Sequence, residues 1–292
     1  MKEEYIWVVG ANGLLGSTFC RYLQRKNINF ISSTFGEVDI CKQDQINKFS
    51  ENKRITHIIN CAAYTQVDLA EKEKEKAFEV NSKAPLYLAK MAKRKKAKFI
   101  HFSTDYVFDG KKTFSYIESD VAAPINVYGK SKLKGEKEVQ KEFPSSCIIR
   151  TSWLFGDGNN NFVTKMMDLM QRKKSLSIVD DQIGRPTYAE DLVEAAMLLR
   201  NKEGIYHFAN LGHASWHDMA LFLYQQMIGK GHDLICKSIS PIKTNEYPSF
   251  AYRPLYSPLN TEKFEKVANK KPRTWQKAMI DFLRNIKNEA KS

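Results

Sequence analysis

Long apolar runs are absent from this sequence of 292 residues. No stretch is long enough to cross a bilayer, and Met1 to Tyr5 lead into an apolar run without the pattern of a signal peptide. We therefore expect a cytoplasmic protein with no membrane partner. Internal repeats are also absent, which argues against a solenoid or propeller.

Cysteine is scarce and scattered. The five cysteines form no CxxC pair, and their odd number argues against a disulfide framework or a zinc ribbon. His213 and His217 have the i, i+4 spacing that zinc ligands can have, but no glutamate motif accompanies them. We therefore predict no metal site.

Acidic residues are fewer than basic ones, 33 against 46, which gives a formal charge of +13. Nucleic-acid binding is one interpretation, and it rests on charge alone. Basic runs at residues 93–96 and 172–174 lie near the ends of predicted helices, where the helix dipole favours cations. We interpret them as solvated faces and predict no nucleic-acid partner, although a positive field would attract a nucleotide diphosphate.

Strand and helix patterns alternate in the first half. Apolar runs predict strands at residues 5–9, 30–33, 55–60, 98–102 and 147–150, and helical spacing predicts helices at 13–24, 77–92 and 129–143. This alternation predicts an α/β fold with a Rossmann-type, doubly wound parallel sheet covered by helices on both faces.

The second half is less regular. Its patterns predict helices at residues 161–170, 189–199, 215–228 and 274–286, strands at 176–179 and 205–208, and a proline-rich irregular segment at 239–260. We predict a dinucleotide-binding domain at 1–155. A smaller, mixed α/β substrate-binding domain is predicted at 156–292, with some segments returning to the first sheet.

A glycine-rich turn follows the first predicted strand and opens a helix, as the dinucleotide-binding fingerprint requires. Its spacing is GxxGxxG, and the predicted cofactor-binding residues are Gly10, Asn12, Gly13, Leu14, Leu15 and Gly16. The phosphates of a dinucleotide would bind N–H groups at the start of the helix.

Ser32, Ser33 and Thr34 stand where many dinucleotide-binding domains carry an acidic residue at the end of the second strand. Because a carboxylate there would repel a 2′-phosphate, its absence favours NADPH weakly, with NADH possible. Further cofactor contacts are predicted at the carboxyl ends of strands, from Asp39, Ile40, Ala62, Ala63 and Tyr64.

Tyr128 and Lys132 are four residues apart on a predicted helix and therefore share a face. An ammonium beside a phenol lowers its pKa, and the pair can donate a proton to an alkoxide as hydride arrives. Thr104 lies at the carboxyl end of a predicted strand, where its hydroxyl can bind the same carbonyl. These three residues are the predicted catalytic group.

Several longer motifs extend this pattern. They are residues 60–68 (Asn-Cys-Ala-Ala-Tyr-Thr-Gln-Val-Asp), 103–110, 124–136, 150–156, 179–187 and 253–254. With Thr104, Tyr128 and Lys132, they resemble the dTDP-4-dehydrorhamnose reductase family of extended short-chain dehydrogenases/reductases over nearly the whole chain.

The resemblance implies reduction of the C4 ketone of dTDP-4-dehydro-L-rhamnose, with Tyr128 as proton donor, Lys132 on the nicotinamide ribose and Thr104 on the ketone. It also implies that Asp105, Tyr106 and Trp153 contact the nucleotide-sugar substrate. From its chemistry, Arg253 could pair with the substrate diphosphate.

One departure is Cys61, where the family pattern has alanine; both residues are small. Some family members bind magnesium between subunits through acidic residues, and Glu190 matches one, but the full set is not found. A homodimer is possible.

Alternatives from other classes stay open. A dehydratase or epimerase can share this fold, but dehydratases carry Asp-Glu after the threonine, whereas Tyr106 follows Asp105 here. A regulatory subunit without turnover, like that of methionine adenosyltransferase, is another alternative. Asp180 and Asp181 are interpreted as turn residues, with Gln182 a possible substrate contact, and Trp216 and Trp275 as core residues.

Overall fold

The computed structural model describes residues 3–158 and 161–289. Its strands are β1 (Tyr5–Val9), β2 (Asn29–Ser33), β3 (His57–Asn60), β4 (Lys98–Thr104), β5 (Cys147–Thr151), β6 (Leu154–Phe155), β7 (Ser175–Val179), β8 (Ile183–Gly184), β9 (Thr187–Tyr188), β10 (Gly204–His207), β11 (Ala214–Ser215) and β12 (Ser238–Ile242). Residues 1–2, 159–160 and 290–292, on which parts of the predicted domains fall, lie outside the described residues.

The α-helices are α1 (Leu14–Arg25), α2 (Gln43–Ser50), α3 (Val67–Ala70), α4 (Lys74–Phe78), α5 (Ala84–Lys95), α6 (Val127–Glu142), α7 (Phe162–Arg172), α8 (Ala189–Leu199), α9 (Trp216–Gly229), α10 (Glu262–Ala268) and α11 (Trp275–Glu289). Of these, α2, α3 and α10 were not predicted. Over the described ranges, none is long and apolar enough to span a bilayer.

Six parallel strands form the central sheet in the order β2-β1-β3-β4-β5-β10. The chain runs from β1 to β2 on one side and then returns to place β3 on the other side of β1. This reversal creates a crevice at the carboxyl ends of β1 and β3, where such folds bind ligands. The predicted doubly wound α/β fold is confirmed.

Both faces of the sheet are buried, as the side chains of β1 show. Ile6 and Val8 pack into one apolar cluster together with α1 and α8. Trp7 and Val9 alternate with them and pack into a second cluster with α2 and α5. A strand covered on both faces needs a continuous apolar run, which is why the sequence of β1 predicts its own burial.

The predicted helix at residues 77–92 is interrupted. A π-helical turn, Glu79–Lys83, lies between α4 and α5. Within it, the Asn81 side chain accepts a hydrogen bond from the Tyr64 N–H at 2.8 Å and donates to the Tyr64 carbonyl at 2.9 Å. The turn thus anchors the segment that follows β3.

A third apolar cluster lies under α7, α9 and α11 and contains Trp275, as predicted for a core residue. Residues 239–260 are predicted to be largely irregular, and the exception is at their start, where β12 pairs in parallel with β7 along five residue pairs. Pro241 is tolerated because a two-stranded ladder has only edge strands. β10 joins the central sheet from the second half of the chain, and the boundary at residue 155 stays a prediction.

Candidate active site

A cavity of about 750 Å³ follows the carboxyl ends of β1, β3, β4 and β5. Most of the predicted site residues line it: Gly10, Asn12, Gly13, Leu14, Leu15, Asp39, Ile40, Ala62, Ala63, Thr104, Asp105, Tyr106, Tyr128, Lys132 and Trp153. The glycine-rich turn and the catalytic group, far apart in sequence, therefore share one space. Its size falls within the ordinary range for small-molecule sites.

The glycine-rich turn is shaped by close backbone approach. Gly10 has φ 78°, a left-handed conformation that favours glycine. A Cβ at Gly16 would overlap the Gly10 carbonyl oxygen, so only glycine lets α1 pack against this turn. Gly13 is the N-cap of α1 and has no side chain that could cap the helix. N–H groups at the helix start are therefore available to phosphate oxygens. The turn fits the pyrophosphate of a dinucleotide.

Tyr128 lies in the first turn of α6, whose N-cap is Asn126; the Asn126 side chain accepts from the Gly129 N–H at 2.7 Å. Burial raises the pKa of Tyr128 to about 12, although a side-chain hydrogen bond with Thr104 opposes the shift. The prediction that Lys132 lowers this pKa is wrong, because burial raises it and the negative charge of Asp105 raises it further. Tyr128 is therefore protonated at neutral pH.

Lys132 is 2% exposed, and its Nζ donates a hydrogen bond to the Phe102 carbonyl oxygen at 2.6 Å. Burial lowers its pKa to about 8, and the negative charge of Glu136 partly offsets this effect. Glu136 is one helical turn further along α6 and also holds Arg150 in a buried, bidentate ion pair. The ammonium is thus fixed to β4 at the wall of the cavity.

Thr104 ends β4, and its hydroxyl accepts from the Tyr106 N–H at 3.2 Å and donates to Asp105 Oδ1 at 3.0 Å. Asp105 is 2% exposed, and burial raises its pKa to about 7. Ser257 donates to the other carboxyl oxygen of Asp105 at 2.6 Å. Sequence reasoning missed Ser257, which comes from the proline-rich segment and carries no motif of its own.

Trp153 lines the cavity, and its ring stacks on that of Trp216 with centroids 3.5 Å apart and planes 4° apart. Trp216 packs against the third apolar cluster, as predicted for a core residue, but it is only partly buried and also lines the cavity. Its indole N–H donates to Gln182 Oε1 at 3.1 Å. Gln182 does not line the cavity, but it contacts Trp216, which does.

Three predicted site residues do not line the cavity: Gly16, Tyr64 and Arg253. Gly16 contributes through helix packing, as described above. The backbone of Tyr64 is bound to Asn81, and its hydroxyl donates to Glu73 at 3.2 Å, away from the cavity.

Arg253 is paired with Asp68, whose Oδ2 lies 2.6 Å from Arg253 Nη2. Burial opposes ionisation of Asp68, but hydrogen bonds from Arg253, Ala251 and Ser249 lower its pKa to about 2. The guanidinium also contacts the Tyr106 hydroxyl. Arg253 therefore reaches the cavity wall through Tyr106, and its proposed pairing with a diphosphate stays a prediction.

Metal ligation has little support in the geometry. Across residues 3–158 and 161–289, no group of three or more His, Cys, Asp or Glu side chains is placed to hold an ion. His213 and His217 contact Ser115 and the Ile239 carbonyl respectively. Glu190 is engaged by Arg25 at 2.5 Å. The absence of a metal site stays a prediction.

Comparison with known proteins places these features in a family. The sequence profile of the RmlD substrate binding domain matches residues 4–288. The chain is 36% identical to a dTDP-4-dehydrorhamnose reductase of Aggregatibacter actinomycetemcomitans, over 96% of this chain and 97% of that protein. It is 38% identical to a spore coat polysaccharide biosynthesis protein of Bacillus subtilis, over 95% of this chain and 96% of that protein.

Among solved structures, a dTDP-4-dehydrorhamnose reductase of Bacillus anthracis in complex with NADP superimposes with a TM-score of 0.92. It is 33% identical, and the match covers 98% of this chain and all of that one. The profile match and the relatives confirm the resemblance inferred from the motifs. The chain belongs to the dTDP-4-dehydrorhamnose reductase family and is an NAD(P)H-dependent oxidoreductase.

Proposed function

We propose that this chain reduces the C4 ketone of a nucleotide-activated 4-keto-6-deoxy sugar, with dTDP-4-dehydro-L-rhamnose as the leading substrate and dTDP-L-rhamnose as the product. The observation that carries the proposal is the shared cavity, which joins Tyr128, Lys132 and Thr104 to the glycine-rich turn. The names of the relatives support the sugar nucleotide.

The cofactor is a reduced nicotinamide dinucleotide, held by the glycine-rich turn and by the residues after β3. When bound, it supplies the hydride that the ketone carbon accepts. The NADP complex of the Bacillus anthracis relative supports NADPH, and NADH is the alternative. Asp39, Ile40, Ala62 and Ala63 line the cavity and are proposed contacts to the adenine and ribose.

Tyr128 donates the proton to the developing alkoxide. Its raised pKa keeps the phenol protonated at neutral pH, which is the state that a general acid needs. Thr104, which shares a hydrogen bond with Tyr128, orients the ketone oxygen. Lys132, with a pKa of about 8, is mostly charged at pH 7 and stabilises the phenolate as the proton leaves.

Substrate contacts follow from the remaining wall. Asp105 and Tyr106 form hydrogen bonds with sugar hydroxyls. Trp153 packs against an apolar face of the sugar. Arg253 would hold the Tyr106 hydroxyl by a hydrogen bond and form an ion pair with the substrate diphosphate. We also propose a cytoplasmic location, and a homodimer stays a prediction.

The test is an assay of the purified chain with the 4-keto sugar nucleotide, comparing NADPH with NADH and identifying the product by NMR. We expect consumption of the reduced nucleotide and a 4-hydroxy-6-deoxy sugar. Tyr128→Phe should abolish turnover while dinucleotide binding persists. Binding of both ligands without turnover in the unaltered chain would instead identify a regulatory subunit, and an elimination or epimer product would identify a dehydratase or epimerase.

A further inference from the structure

An exposed carboxylate that the sequence pattern did not reveal is hydrogen-bonded to a residue that lines the cavity after β2. In this fold, the residue at the end of the second strand meets the ribose hydroxyls. Thr34, which directly follows β2, lines the cavity there. The preceding Ser33 also lines the cavity, but it is buried and its hydroxyl accepts a hydrogen bond from the Trp7 indole N–H at 2.9 Å.

Glu37 folds back onto Thr34. The Thr34 N–H and hydroxyl both donate to Glu37 Oε2, at 2.8 and 2.9 Å. The turn is closed by the N–H groups of Glu37 and Val38, which donate to the Thr34 carbonyl at 3.2 and 3.0 Å. The hydrogen bonds from Thr34 lower the pKa of Glu37, so its exposed carboxylate is ionised at neutral pH. Glu37 is not among the residues that line the cavity, but its negative charge is thereby held beside Thr34, which does line it, three residues after the usual position.

Little positive charge offsets it. Among the described residues that line the cavity, Lys132 is the one Lys or Arg, and it lies at the catalytic end on α6. Asp39 lines the cavity near Thr34 and adds a second carboxylate. Lys42 forms an ion pair with Asp39, in which Nζ lies 3.8 Å from Oδ2. A 2′-phosphate at this end would therefore meet more negative than positive charge.

We propose that Glu37 sets the cofactor preference of this chain by disfavouring the 2′-phosphate of NADPH relative to the 2′-hydroxyl of NADH. The proposal rests on the proposed function, since it takes the cavity to bind a nicotinamide dinucleotide. NADPH still binds, as the solved relative with NADP indicates, but with an electrostatic penalty that NADH does not carry.

Glu37→Gln separates charge from turn geometry. A glutamine can accept the same two hydrogen bonds from Thr34 through its amide oxygen, as either residue does in a capping box. The dissociation constants of NADH and NADPH are measured by isothermal titration calorimetry, without sugar. We expect the ratio of the NADPH constant to the NADH constant to fall about tenfold in this variant, and further in Glu37→Arg.

The matched control is Glu51→Gln, which changes net charge equally. Glu51 is exposed and lies between α2 and β3, where its carbonyl accepts from Lys95 Nζ at 3.1 Å. This variant should leave the ratio unchanged. Because salt screens exposed charges, the effect of Glu37→Gln should also shrink when salt is raised from about 0.05 to about 0.5 M, since the Debye length is about 10 Å at 0.1 M and only about 3 Å at 1 M. A purely structural cap would show no such dependence.

An unchanged ratio in Glu37→Gln and Glu37→Arg, with unaltered unfolding midpoints, would overturn the role of Glu37 and leave the proposed function standing. Absence of any dinucleotide binding to the unaltered chain would overturn both. An equal fall in the ratio for Glu51→Gln would show that net charge alone acts, and would also overturn the proposal.

Discussion

Ser257 donates a hydrogen bond to Asp105 over 2.6 Å, although 152 residues separate them in sequence. The contact ties the proline-rich segment to the residue beside Thr104. It also stabilises the ionised form of the Asp105 carboxyl group, whose pKa is raised by burial to about 7. A residue from the second half of the chain thus favours the ionised form of Asp105, next to Thr104.

Asp105 should make stability depend on pH. Its folded pKa of about 7 exceeds the unfolded value of 3.8, so between about pH 4 and 7 the folded state holds a proton that the unfolded state releases. The free energy of unfolding therefore falls as pH rises through this window, by up to about 1.4 kcal/mol per pH unit. Denaturant unfolding from pH 4 to 8.5 should show this slope in the unaltered chain and lose it in Asp105→Asn.

Ser257→Ala should extend that window to higher pH. Removal of the hydroxyl takes away a bond to the ionised carboxylate, which raises the pKa of Asp105 further. The same titration measures the shift. Superimposable pH profiles for the unaltered chain, Asp105→Asn and Ser257→Ala would contradict both expectations.

Gly16→Ala should destabilise the chain and weaken dinucleotide binding together. The added methyl group overlaps the Gly10 carbonyl oxygen, so α1 must move away from the turn. Such overpacking costs about 1–3 kcal/mol of unfolding free energy. Thermal unfolding and calorimetric titration with NADPH measure the two effects.

Gly229→Ala is the control for this substitution, because Gly229 ends α9 and its added Cβ would meet no atom within 4 Å. It should leave binding unchanged and stability unchanged or slightly higher, since alanine favours helix. Full stability and affinity in Gly16→Ala would show that the packing constraint is not real.

Trp216→Leu should raise the KM for the sugar nucleotide about two- to tenfold and leave the KM for the cofactor unchanged. Trp153 has φ 47°, an unusual conformation for a bulky residue, and the stacked ring of Trp216 helps to hold it there. The fold-change corresponds to the energy of about 0.5–1.5 kcal/mol for an aromatic pair. Steady-state kinetics measure it, and an unchanged KM for the sugar would exclude a role for the stack in substrate binding.

Local patterns predicted the parts of the site that are local in sequence. The glycine-rich turn, and Tyr128 with Lys132, depend on spacing within one turn or helix, and the structure places them at the cavity as expected. Strands such as β1 were predicted because burial on both faces demands a continuous apolar run. The alternation of strands and helices then determined the fold class.

Contacts between distant segments were not predictable in this way. Ser257, Trp216 and Glu37 belong to no motif that the sequence analysis recognised, and their importance comes from where the fold places them. The lowered pKa expected for Tyr128 was wrong because spacing reveals a neighbouring charge but not the degree of burial, which dominates here. Tyr64 was predicted at the cavity from its place after β3, but Asn81 in the π-helical turn binds its backbone.

The most direct test of hydride transfer to the sugar uses reduced nicotinamide dinucleotide carrying deuterium at the transferable C4 position, in separate reactions for each of its two faces. With dTDP-4-dehydro-L-rhamnose and the unaltered chain, one of the two labelled cofactors should place deuterium on C4 of the product, as seen by NMR. Tyr128→Phe should give no labelled product. Reduced sugar without deuterium at C4 from either cofactor, or full activity of Tyr128→Phe, would contradict the account.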